Sequence, residues 1–72
     1  MKPIEQQIKE VKDSYMANYE EALRTPEDSE RWLDLEDDLE IDAVFILRHC
    51  YGDAPLTYRE LYQKIKKERE EA

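Results

Sequence analysis

Nine of the nineteen carboxylates in this 72-residue chain fall between Glu27 and Asp42, where Arg31 is the only base. The residues on either side are close to neutral, so this one stretch carries the net charge of -8. Acidic side chains at this density can hold a divalent cation, share a proton in acid–base chemistry, or face a cationic surface. The rest of the chain offers less chemistry. His49 and Cys50 are the only adjacent base and nucleophile, and neighbours on a helix point about 100° apart, so they form no hydrogen-bonded dyad with each other. Cys50 continues an apolar stripe and reads as a small core residue. His49 suits a helix C-terminus, where a cation meets the negative end of the dipole. One Cys and one His exclude an intrachain four-ligand zinc site built from those residues. No catalytic residue and no cofactor are therefore assigned.

Two motifs in the acidic stretch were compared with known metal sites. Asp34-Leu35-Glu36-Asp37-Asp38 opens like a calcium loop, but the sixth position is Leu39 and the twelfth Phe45, where such loops need Gly and Glu. Glu36-Asp37-x-x-Glu40 resembles the first half of the magnesium-binding E-E-x-x-E motif of all-helical nucleotide pyrophosphohydrolases of the MazG type. That resemblance implies a metal-dependent nucleotide hydrolase. The second half, E-x-x-D, is missing, since Glu60 is followed three residues on by Gln63 and Glu68 by Glu71. Further along, Tyr51-Gly-Asp-Ala-Pro-Leu-Thr-Tyr-Arg-Glu-Leu61 is similar to the entry of the helix-turn-helix in region 4 of sigma factors. That resemblance implies DNA binding, yet no turn or recognition helix follows Ile65. What is left is a capped helix start, and no family is assigned.

The elements that position these groups are helical. Apolar residues Ile4, Ile8, Val11, Tyr15, Tyr19 and Ala22/Leu23 recur every three or four positions, which predicts a helix over residues 3–24 with Pro3 in its first turn. Thr25-Pro26-Glu27-Asp28 carries a cap, a first-turn proline and two acids, and predicts a second helix over 26–50 after a tight hairpin. Its main stripe is Trp32, Leu35, Leu39, Ala43, Ile46 and Cys50. Ile41, Val44, Phe45 and Leu47 widen the apolar surface and predict burial by more than one neighbour. Gly52 supplies the stop. Thr57 and Glu60 have capping-box spacing, and Leu56 and Leu61 that of a hydrophobic staple. They predict a third helix over 58–70 with Tyr58, Leu61, Tyr62 and Ile65 facing inward and a solvated, fraying end beyond. The tyrosines fit a helix-packing seam.

The expected fold is all-α, one small domain over residues 1–72 formed of an antiparallel helical hairpin and a short third helix. Chains of this size bury only roughly 60% of their unfolded surface, and a short third helix leaves part of a long hairpin uncovered. A homodimer, with a four-helix core built from two hairpins, is therefore expected. A bend near residues 36–42 is the alternative. The absence of a membrane-length apolar run and the single cysteine point to a soluble, cytoplasmic protein. Like charges at Asp34/Asp38, Glu36/Glu40 and Asp38/Asp42 repel by a few tenths of a kcal/mol per pair. The expected role is a non-enzymatic regulator or inhibitor whose ridge of Asp34, Glu36, Asp37, Asp38, Glu40 and Asp42 docks on a basic protein surface, including one that normally holds nucleic acid. Direct binding of nucleic acid is disfavoured, because phosphates would be repelled.

Overall fold

A computed structural model describes residues 2–71 as three α-helices: α1 (Ile4–Leu23), α2 (Glu30–Cys50) and α3 (Tyr58–Glu71). α1 opens at Pro3, whose carbonyl oxygen accepts from the Gln6 and Gln7 N–H groups at 3.1 Å. Proline loses nothing there, since its own N–H would have no partner in a first turn. α1 closes at Leu23. The Arg24 N–H turns back to the Glu21 carbonyl, and the Thr25 hydroxyl donates to that same oxygen at 2.7 Å.

That contact displaces the expected start of the second helix. Thr25 closes α1 instead of capping α2, and Pro26 lies in the connection. The Pro26 carbonyl accepts from both the Ser29 N–H (3.1 Å) and the Ser29 hydroxyl (2.7 Å). Ser29 is the true N-cap: its side-chain oxygen accepts from the Trp32 N–H at 3.2 Å. Reversing the chain between antiparallel helices takes about two to eight connecting residues, and a start at Pro26 would have left too few.

α2 then runs without interruption to Cys50, so the alternative bend does not occur. It ends where expected. Gly52 has a φ of 60°, a left-handed conformation that costs glycine least. Asp53 shares it (φ 59°), which lets its N–H reach the Leu47 carbonyl at 2.9 Å. The α3 start matches the sequence signal: the Thr57 N–H donates to Glu60 Oε1 at 2.9 Å, and the Glu60 N–H donates to the Thr57 hydroxyl at 3.1 Å. The helix continues past its last apolar anchor, Ile65, to Glu71, close to the expected 58–70. Its exposed last turns are held by two polar contacts, Tyr51 Oη to Glu68 at 2.8 Å and Arg69 to Asp13 at 2.6 Å.

α1 and α2 form the antiparallel hairpin and α3 packs across it. Tyr15, Leu35, Ile46, Leu61 and Ile65 are wholly shielded from solvent, with Met16, Leu39 and Ala43 nearly so. Leu56 and Tyr58 pack on this core beside Leu61, in keeping with the staple. The tyrosines form the expected seam: Tyr19 stacks on Tyr62 at 4.4 Å between ring centres and lies 6.3 Å from Tyr15. The inward stripe of α2 is thus covered within one chain. The apolar residues left open are elsewhere: Ile4, Leu23, Leu33, Ile41 and Val44. No helix among the described residues is long and apolar enough to cross a membrane.

Candidate functional site

The acidic residues of α2 do not form one continuous ridge. The helix advances about 100° per residue, which puts Ile41 on the side opposite Leu39, Ala43 and Ile46. Asp38 lies on one flank of Ile41 and Glu36 and Glu40 on the other, while Asp34 and Asp37 lie close to its own line. The electrostatics agree with this division. Arg31, bonded to Glu21 through two contacts of 2.6 and 3.0 Å, is held in its charged form first by that hydrogen bond and also by Asp34 and Asp38. On the other flank, burial raises the Tyr58 phenol, and the charges of Glu40, Glu36 and Asp37 raise it further. Past Asp37 the expected ridge divides, with Asp38 on one side and Glu40 on the other of a strip that includes Ile41 and Val44, 68% and 49% exposed.

The six expected docking residues differ in what they present. Asp34, Asp37, Asp38 and Glu40 are exposed, and Glu36 is half-buried. Asp42 stands apart. It is half-buried beside Ser14 of α1, and its Oδ2 is shielded from solvent without a hydrogen-bond partner. Burial raises the Asp42 carboxyl above its ordinary value; the Ser14 hydroxyl offsets part of this and the Asp38 charge adds to it.

The other five share one property. Among the described residues, none is in an ion pair. The four cations that do form ion pairs use other acids: Lys2 with Glu10, Lys9 and Arg69 with Asp13, and Arg31 with Glu21. Nor do the carboxylates converge, since no three His, Cys, Asp or Glu side chains among the described residues are grouped to hold a metal ion. Glu36 and Glu40 lie one turn apart on one flank, and α3 brings no acidic pair to meet them.

His49 and Cys50 diverge as expected. Cys50 is half-buried and packs on the core, while His49 is exposed in the last turn of α2 with its ring 4.4 Å from that of Phe45. A groove of about 280 Å³ runs between the hairpin end and α3, lined by Tyr19, Leu23, Trp32, Leu39 and Tyr58 among others. It brings together no set of titratable groups that could do acid–base or nucleophilic work.

Ile41 and Val44, expected to be buried by more than one neighbour, are exposed within the single chain. The signal was present. Ile41 lies two positions from both Leu39 and Ala43, which on a helix is nearly the opposite side. Compared with protein-family models, curated proteins and solved structures, the chain matches none of them.

Proposed function

We propose that this protein is a small non-enzymatic docking module whose α2 binds a basic surface of another protein through Asp34, Glu36, Asp37, Asp38 and Glu40. The supporting observation is that, among the described residues, none of these carboxylates is in an ion pair, while nearby Arg31 is bonded to Glu21. A helix that carries like charges at i and i+4 without internal compensation is less stable for it. A cationic partner would remove that repulsion. A surface that normally binds phosphates has the required charge, so an inhibitor that occupies such a surface by imitating the charge of nucleic acid fits the same reading.

The test is affinity capture with the wild-type chain and with the variant Asp34→Asn/Asp37→Asn/Asp38→Asn/Glu40→Gln. The wild type should retain basic proteins that the variant does not, and these should elute in about 1 M salt, where charges are screened within ~3 Å. Retention that is equal for both chains, or insensitive to salt, counts against the proposal. Magnesium or manganese that raised the melting temperature and supported nucleotide hydrolysis would favour an enzyme built on Glu36, Asp37 and Glu40 instead.

A further inference from the structure

The outward face of α2 has a pattern that includes two of the docking carboxylates and extends beyond them. Asp34, Asp37, Ile41, Val44 and Arg48 follow one another at alternating spacings of three and four residues. This is the spacing of a seam along which one helix packs on another. It lies on the side away from the core, and all five residues are exposed. The seam is polar in sequence, with acids toward the start of α2, Ile41 and Val44 in the middle, and Arg48 near the end. Neither Asp37 nor Arg48 has an ion-pair partner among the described residues.

We propose that this face binds a second copy of the same chain, with the two α2 helices antiparallel about a two-fold axis. In an antiparallel seam each layer pairs one residue with a residue of the other copy, and the sum of the two numbers is constant. Pairing Ile41 with Val44 of the second copy fixes that sum. The next layer on each side is then Asp37 opposite Arg48 of the second copy. The centre holds two Ile–Val layers, closed at both ends by an Asp–Arg pair. The four central residues, Asp37, Ile41, Val44 and Arg48, find their complements in the same patch, which is what a two-fold interface requires, and Asp34 falls one layer beyond them.

The antiparallel arrangement also sets the acidic first half of each α2 against the half that carries Arg48 and His49, and opposes the two helix dipoles. A parallel pairing would place Asp34, Asp37 and Arg48 against their own like charges. Asp38, Glu36 and Glu40 stay at the margins, so pairing leaves these three docking carboxylates open while Asp34 and Asp37 enter the seam. The core hairpin stripe plays no part, because it is already covered within each chain.

One helix per chain gives a contact below the roughly 800 Å² per partner of a standard stable interface. The association is therefore weak, present at about 1 mM protein and lost on dilution, as expected of interfaces of this class.

The experiment is sedimentation velocity of the full chain up to about 1 mM in about 0.15 M salt, where long-range repulsion between the acidic chains is muted but contact pairs persist. The wild type should shift toward dimer mass with concentration. Ile41→Asp should remain monomeric with an unchanged circular dichroism spectrum, since residue 41 is outside the core. Arg48→Glu should weaken dimerisation about tenfold or more, and the double variant Asp37→Arg/Arg48→Glu should restore it, because each layer is again a pair of opposite charges. A monomeric wild type at 1 mM overturns the proposal. So does a dimer indifferent to Ile41→Asp, which would use another face, or an Arg48→Glu defect that Asp37→Arg does not repair. Failure here leaves the docking proposal standing, because Arg48→Glu should strengthen binding to a basic partner while it breaks the dimer.

Discussion

The Tyr15 hydroxyl donates to the main-chain carbonyl oxygen of Tyr58 at 2.6 Å, which ties the middle of α1 to the first residue of α3. The Tyr15 ring is wholly buried, and burial, reinforced by the neighbouring Tyr19 and Tyr58, pushes its phenol far above the ordinary range. The group is therefore a neutral donor at every pH at which the fold persists. Tyr15→Phe keeps the ring and removes only the bond. A net hydrogen bond contributes about 0.5–1.5 kcal/mol, so urea denaturation should show a loss of about 1 kcal/mol with an unchanged slope. An unchanged midpoint would mean that this bond contributes nothing net to holding α3.

The Thr57–Glu60 capping box is the second anchor of α3, and a purely local one. Thr57→Ala removes the acceptor for the Glu60 N–H and should cost about 1 kcal/mol. The Glu60 carboxylate is held below its ordinary value by the Thr57 N–H and hydroxyl. Its folded value is depressed, so its contribution is complete above the unfolded value of 4.5 and disappears as pH falls through the folded one. Glu60→Ala, which removes the carboxylate while the Thr57 N–H and hydroxyl remain, should thus lose part of its effect on stability in acid. A pH-independent difference between the two chains would contradict this account.

These two anchors illustrate what a single sequence can and cannot disclose. The capping box, the Gly52 stop and the α1 and α2 stripes were legible because each depends on residues within one or two turns of each other. The start of α2 was not. Thr25 and Ser29 are both competent caps, and the choice between them depends on the room needed to reverse the chain and on the Glu21 carbonyl that Thr25 bonds. Ile41 and Val44 were expected to meet a further neighbour, but no other helix of the chain covers them, because hydrophobicity does not reveal how many neighbours a helix has. The acidic residues were recognised as a group, but their division past Asp37 became visible only once Arg31 and Tyr58 were placed on opposite flanks.

Asp42 gives a pH dependence of the opposite sign to that of Glu60. Burial raises its carboxyl, so the folded chain holds this proton more tightly than the unfolded one. A raised value means that the contribution is largest below the unfolded value of 3.8 and is lost as pH rises through the folded value. The shielded Oδ2 without a partner is the structural cause. Asp42→Asn supplies a neutral side chain of the same shape and should raise the melting temperature at pH 7. The gap should close as the pH falls below about 4, where the wild-type carboxyl is protonated as well. A variant no more stable than wild type at neutral pH would show that the buried oxygen is hydrated.

Asp38 separates stability from docking. It lies one turn from both Asp34 and Asp42, and its charge acts on the buried Asp42 carboxyl. Asp38→Asn removes two like-charge pairs worth a few tenths of a kcal/mol each and should make the chain more stable, most clearly at low salt. If the carboxylate serves a basic partner, the same substitution should weaken capture of that partner even though the fold has gained. Opposite signs in the two measurements are the expected result, because an acid retained for stability could not yield a more stable chain when neutralised. A loss of stability in Asp38→Asn would instead mean that the carboxylate has an internal role, and the case for Asp38 as a docking element would fail with it.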